Sequence, residues 1–373
     1  MPMLTMSTQE RRPLEYIELE GYKSIKKLQR FQLNLGLNVL IGANGSGKTN
    51  FVRFFELLGH MMDKNKGLQN YLSSRGRADA FLFRSMKVTE QFRAHLWFGL
   101  NQFKFTLKAA ADRSMFFAEE AAPFKGPYFG AIENSQGSGH AESSLSRKSH
   151  PSGSEKWVVD AISDWVVYHF HDTSQNARVM GVCNSVDNTK LAGDAANISA
   201  FLRRLQNEKR DYYDRIVKTI RLVAPFFGDF VLNEVSQGQT QLLWKERYGD
   251  QVFYPHQLSD GSMRFICLTT LLLQPSPPST IIVDEPELGL HPYAIEVLAG
   301  LLREASTRGQ VIISTQSRPL VDEFKAEDLI VVDRKDGETT FSRLTGKELE
   351  AWLADYSLGE LWGKNVFGGR PQP

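Results

Sequence analysis

Apolar and polar positions alternate over residues 28–35, where Phe31, Leu33 and Leu35 take every second place. That period of two belongs to a half-buried strand and, with a similar stretch at 15–20, predicts two opening strands. Leu37 to Ile41 (LNVLI) is a short unbroken apolar run that stops at glycine, the pattern of a central strand. The period then changes: Phe51, Phe54, Phe55, Leu58 and Met62 fall on one side of a helix over 50–62. Residues 92–107 predict a hairpin turning near Asn101-Gln102, with Phe103, Phe105 and Leu107 alternating. Residues 197–223 predict a helix, with Ile198, Phe201, Leu202 and Leu205 on one face. Residues 230–246 predict a second hairpin around Ser236-Gln237-Gly238. From Gly261 the pattern reads helix to Leu273, strand 280–283, helix 293–305, strand 311–314 and strand 329–333. An Asp336-Gly337 turn and one more strand follow. Strands alternating with helices at both ends of the chain predict an α/β core. No segment sustains three heptads, so no long coiled-coil arm is expected.

Residues 134–154 (NSQGSGHAESSLSRKSHPSGS) break every period. With Leu145 as the one large apolar residue, this stretch is expected to be a mobile loop inside an inserted lobe, residues 111–254.

The strand at 37–41 runs into Gly42-Ala43-Asn44-Gly45-Ser46-Gly47-Lys48-Thr49, which satisfies G-x-x-x-x-G-K-[ST] between an apolar strand and an amphipathic helix. Glycines let backbone N–H groups turn inward around phosphate oxygens, and the helix N-terminus adds a favourable dipole. Lys48 can reach β- and γ-phosphates, and the Thr49 hydroxyl can ligate Mg²⁺. Thr280 to Glu285 (TIIVDE) is an apolar strand closing on two carboxylates. Asp284 is placed to hold Mg²⁺ through water and Glu285 to polarise an attacking water. Leu258-Ser259-Asp260-Gly261-Ser262 opens an apolar helix with a serine and a glycine, an anion-binding end.

The order phosphate loop, Ser259-Asp260-Gly261-Ser262 and Asp284-Glu285 resembles the ABC ATPases, whose LSGGQ-type signature is here altered at Asp260 and Ser262. Glu285-Pro286-Glu287-Leu288-Gly289-Leu290-His291-Pro292 resembles the matching segment of compact ABC ATPases related to SMC, RecF and the OLD family. Gly21-Tyr22-Lys23-Ser24-Ile25, Tyr168-His169-Phe170-His171-Asp172-Thr173 and Tyr356-Ser357-Leu358-Gly359-Glu360-Leu361-Trp362 resemble segments of the bacterial AAA/SMC-like ATPases in that group. The resemblance implies a P-loop NTPase: one ABC/SMC-type head spanning 1–373, with a mixed sheet core and an inserted helical/β lobe. It implies ATP and Mg²⁺ as cofactors, with Lys48, Glu285 and Gln316 in catalysis and Thr49 and Asp284 at the metal. Gly42, Asn44, Gly45, Ser46, Gly47, Lys48, Thr49 and Asn50 are expected around the nucleotide. Ser259, Gly261 and Ser262 are expected to close over the ATP of a second subunit in a homodimer. Gln316 stands where ABC ATPases usually place histidine; its amide can donate to a γ-phosphate and does not titrate near neutral pH, which implies slow turnover. A lobe-connecting glutamine is not singled out among Gln69, Gln91 and Gln102. Lys23 and Ser24 resemble residues that approach the nucleotide in related heads.

Composition changes this picture little. At 373 residues with 42% apolar and 23% charged positions the chain is globular, and no apolar run is long enough to span a membrane. The opening MPMLTMSTQERRP has no signal-peptide core and is expected to be a loose tail, which with Cys183 and Cys267 as reduced thiols points to the cytoplasm. The net charge of +1 hides +8 over residues 1–130 and −6 over 251–373. The basic third leaves open a second reading, a RecF/SMC-like DNA-binding ATPase in DNA repair or chromosome maintenance. OLD-family relatives carry a nuclease, but too few residues follow Ser317 for one. The first reading is therefore an ATP-dependent dimeric switch controlling a separate nuclease or toxin protein in anti-phage defence. A transporter ATPase and a non-hydrolysing scaffold are weaker alternatives. His169, His171 and Asp172 are too few for a metal cage, Cys267 reads as packing, and Arg264 could face a partner's nucleotide or make a salt bridge.

Overall fold

The computed structural model describes residues 13–65, 67–126, 130–344, 349 and 352–369; the expected N-terminal tail lies, but for Pro13, outside them. The chain forms two compact units, one from residues up to 35 with 57–165, the other from 36–56 with 166 onward. The expected lobe, 111–254, coincides with neither, because it crosses the boundary at Trp165.

The first unit is an antiparallel sheet. Its strands run in the order Ile25–Gln32, Tyr16–Tyr22, Gln91–Phe98, Asn101–Ala109, Phe124–Lys125 and Ala131–Ile132, and Met115–Ala121 also pairs with Asn101–Ala109. Phe92, Ala94, Leu96 and Phe98 alternate inward as a one-sided sheet requires. The hairpin turns at Gly99-Leu100, two residues before the expected place, since Phe98 pairs with Asn101 and Gly99 supplies the positive φ (+69°) of a tight turn. The stretch 134–154 carries short helical turns at Ser144–Arg147 and from Gly153. It differs from the expected loop because one carboxylate and one leucine anchor it: Leu145 and Ser143 are fully buried, and Ser143 Oγ donates to the buried Glu120 at 2.5 Å.

The second unit holds a six-stranded mixed sheet in the order Glu338–Arg343, Leu329–Lys335, Leu37–Ile41, Gln310–Thr315, Thr280–Asp284, Val166–Tyr168. All neighbours are parallel except the first pair. The three middle strands are buried throughout, as strands of a parallel sheet covered on both faces are. The helix expected over 197–223 is two, Ile198–Glu208 and Arg210–Val223. No apolar residue continues the stripe between Leu205 and Tyr213, and the chain breaks at Lys209 inside that polar run. The second expected hairpin exists, with Phe230 opposite Trp244 and Ser236 opposite Gln239. Among the described residues no helix is long and apolar enough to cross a membrane.

Candidate active site

Three parallel strands end side by side. Thr315 is in register with Ile41 and Ser314 with Asp284, so Gly42, Gln316 and Glu285 leave the sheet along one edge. The carboxyl edge of a parallel sheet is where such folds bind ligands.

Gly45 and Gly47 take φ of +79° and +115°, turning the loop back before the helix Lys48–Met62 begins. The Lys48 ammonium is buried and donates to the carbonyls of Gly42 at 2.6 Å and Ala43 at 3.1 Å. Burial pulls it below the ordinary lysine range, against the opposing pull of Glu285, Asp284 and Glu287. The loop is also held from far along the chain: Thr339 Oγ1 donates to Ser46 O at 2.8 Å and Arg334 Nη1 to Gly45 O at 3.2 Å. A Cβ on Gly42 would fall 2.2 Å from Val332 O, so only glycine fits there. Ser46 Oγ is buried with no partner among the described residues. A cradle with an orphaned hydroxyl and a buried ammonium fits the phosphates of a nucleotide.

Asp284 is buried, and one of its oxygens accepts from Ser314 Oγ. Thr49 opens the adjacent helix. Two hard oxygen donors, with no group of three His, Cys, Asp or Glu able to hold a metal among the described residues, fit Mg²⁺, which keeps waters and phosphate oxygens as its other ligands. Glu285 has φ +45°, a left-handed conformation that costs a non-glycine residue about 1–3 kcal/mol. Its N–H donates to Ser314 O at 3.0 Å, and its carboxylate accepts from Gln316 Nε2. The expected γ-phosphate sensor thus holds the expected water-polarising group.

Glu287 belongs to the site, although nothing but its place in the Glu285–Pro292 segment marked it. Its Oε1 accepts from Thr315 Oγ1 at 2.5 Å and from the Gln316 N–H at 3.2 Å, which fixes the peptide carrying Gln316. Burial pushes its carboxyl up from the ordinary range. Its signal in the sequence was a carboxylate two places past Glu285, inside a turn.

Ser259 caps the helix Asp260–Leu273, with its Oγ accepting from Ser262 N at 3.2 Å. Gly261 packs on Gly289 O, 2.5 Å from where a Cβ would stand. Ser259 and Asp260 are exposed. A cleft of about 260 Å³ beside Gly42–Asn44 is lined also by Gln316 and Arg318, and by none of Ser259, Gly261 or Ser262.

Arg264 is half-buried and makes no salt bridge among the described residues. It donates to the carbonyls of Phe170, His171 and Leu288 and ties those turns together. His169 and His171 follow the strand Val166–Tyr168, and His171 Nε2 donates to Asp284 O at 2.8 Å. Cys267 is buried in its helix, where burial pushes the thiol far up. Gln69 donates to Met115 O and Ala141 O, Gln102 pairs with His95, and Gln91 lies against Arg93. All three glutamines are therefore engaged within the antiparallel unit. So is Lys23, which donates to Ala80 O at 3.0 Å under the Phe81 ring.

A family model described as "AAA domain, putative AbiEii toxin, Type IV TA system" matches residues 37–323. An 80-residue stretch is 32% identical to a "putative ABC transporter ATP-binding protein" of Bacillus thuringiensis subsp. konkukian, covering 21% of this chain and 14% of that one. A protein of the same description from Methanosarcina acetivorans is 32% identical over 78 residues, 21% of this chain and 28% of its own. The matches thus span well under a third of those relatives' lengths. In fold the chain is similar to an Smc head solved with the C-terminal winged-helix domain of ScpA, at a TM-score of 0.61 and 15% identity, covering 91% of this chain and 99% of that one. It is also similar to an Smc head with an extended coiled coil bound to the C-terminal domain of ScpA from Pyrococcus furiosus, at 0.55 and 14%, covering 92% and 98%.

Proposed function

The chain belongs to this AAA-domain family and has an ABC/SMC-type P-loop ATPase fold, and from that premise we propose that it is an ATP-hydrolysing dimeric switch. The observation that carries the reading is the convergence of Lys48, Asp284, Glu285 and Gln316 along one sheet edge. ATP lies on the loop, where Lys48 leaves the Gly42 and Ala43 carbonyls for the β- and γ-phosphates. Mg²⁺, held from Thr49 and Asp284, supplies charge neutralisation at the phosphates when bound. Glu285 orients the attacking water, and Gln316 fixes the Glu285 carboxylate until a γ-phosphate draws the amide away. Most of the rate enhancement comes from positioned donors acting on developing charge.

The exposed N-terminus of the signature helix, outside the cleft of its own loop, supports closure over the ATP of a second copy. The family description names a toxin of a TA system, and the Smc head was solved with a separate protein bound. Both support a switch that acts on another chain, and a nuclease or toxin of anti-phage defence in the cytoplasm is the partner we propose. Lys48→Ala is expected to lose ATP binding, and Glu285→Gln to bind ATP and accumulate dimers. Light scattering with and without ATP tests this; a Glu285→Gln protein that stays as monomeric as wild type would falsify the dimeric switch.

A further inference from the structure

Two features of the cleft beside Gly42–Asn44 are left over once the loop, the carboxylates and Gln316 are accounted for. The first is Arg318. Its side chain is exposed to the cleft and makes no hydrogen bond or ion pair with any described residue. The second is the closing segment of the chain, which walls the cleft with Trp362, Gly363 and Gly369.

The segment is fastened to the helix that begins with Arg318. Gly359 N–H donates to Asp322 Oδ1 at 2.6 Å, and a Cβ on Gly359 would fall 2.8 Å from Arg318 O. The guanidinium rests against Gly363, where an added Cβ would come within 2.8 Å of Cζ and 2.9 Å of Nη1. Farther on, Gly368 and Gly369 take φ of +84° and +82°. A Cβ at 369 would stand 3.6 Å from Gly42 Cα, so the segment crosses in contact with the first glycine of the phosphate loop.

Position identifies what the cleft receives. Lys48 points at the carbonyls of Gly42 and Ala43, and both residues line the cleft. In a phosphate loop that lysine serves the β- and γ-phosphates, so the cleft lies at the terminal end of the phosphate chain. Gln316, which holds Glu285, lines it too. A guanidinium without a carboxylate partner presents a planar fork of donors matched to phosphate oxygens. We propose that Arg318 binds the terminal phosphoryl group of a nucleoside triphosphate on the loop, with the closing segment fixing its guanidinium in place. Arg318 then distinguishes triphosphate from diphosphate, and the bound state is communicated to the closing segment through Gly363. This rests on the reading of Gly42–Thr49 as the nucleotide site.

Calorimetric titration with Mg²⁺ present tests it, using a non-hydrolysable ATP analogue, ADP, and ADP with inorganic phosphate. Arg318→Ala is expected to weaken the triphosphate analogue by about tenfold, the loss of one charged hydrogen-bonding group, and to leave ADP unchanged. Gly363→Ala keeps the charge but displaces the guanidinium, and should weaken the analogue less, again sparing ADP. Equal losses for analogue and ADP in Arg318→Ala, or none, overturn the proposal. A loss confined to inorganic phosphate added to the ADP complex also overturns it, in favour of a product-phosphate site. If Lys48→Ala retains full affinity for both nucleotides, the phosphate-loop reading itself has failed, a result distinct from the others.

Discussion

Each of the two units buries a glutamate, and the two are treated in opposite ways. In the antiparallel unit Glu120 is wholly buried and both of its oxygens are met: Oε1 by Ser143 Oγ at 2.5 Å, Oε2 by Ser144 N at 2.8 Å and His140 Nε2 at 2.9 Å. In the parallel unit Glu287 is nearly as buried, yet among the described residues only Oε1 has donors and Oε2 has none. Buried polar groups are normally paired, so the first arrangement is a staple and the second an unfinished one. The unfinished carboxylate adjoins Gln316, the strained Glu285 backbone and a loop with its own orphaned hydroxyl at Ser46. Around the phosphate loop, Glu287, Glu285 and Ser46 together break local rules where a ligand is expected to complete the set.

The comparison breaks most readily at Glu120. Glu120→Ala would leave Ser143, Ser144 and His140 facing an empty site, at a cost of about 3 kcal/mol. Hydrogen exchange should show the loss in residues 115–147, with nucleotide affinity unchanged; unaltered exchange there would show that Glu120 is no staple. Ser143→Ala removes one of three donors and is expected to cost about 1–2 kcal/mol, in the same segment and by the same measurement. If it costs as much as Glu120→Ala, the hydroxyl rather than the carboxylate organises the segment.

The parallel unit was the legible one. Phosphate binding demands glycines, a lysine and a hydroxyl at fixed spacing, and a metal site demands carboxylates at a strand end, so the proposed sites at 42–49 and 280–285 were legible as motifs. What supports them was not legible, since Thr339 meets Ser46 from 293 positions away and Arg334 meets Gly45 from 289. Composition alone misjudged 134–154: it counts Ser and Gly but cannot weigh one leucine and one carboxylate with partners across the fold. The helix break at Lys209 was readable in principle, because the apolar stripe stops there. Arg318 carried no motif, and it gains meaning only when the closing segment is seen beside the loop.

The smallest effect is the sharpest test, because it asks whether Glu287 is strained by its charge alone. Burial is the main cause that raises its carboxyl above the ordinary 4.5, and the nearby Glu285 adds to it; the hydrogen bonds from Thr315 and Gln316 act the other way. Lys48 also lies within electrostatic reach. A group raised on folding contributes stability below its unfolded value and loses it as pH climbs through the folded one. Glu287→Gln keeps an acceptor for Thr315 and Gln316 while staying neutral at every pH. It should therefore match wild type at acidic pH and become the more stable protein as pH rises past the ordinary glutamate range, by about 1 kcal/mol. Denaturant unfolding of both proteins across that range would show the two stabilities separating with pH. Curves that stay parallel would mean that a positive neighbour neutralises the buried carboxylate. Glu287 would then be a staple like Glu120, and the contrast between the two units would rest on Glu285 and Ser46 alone.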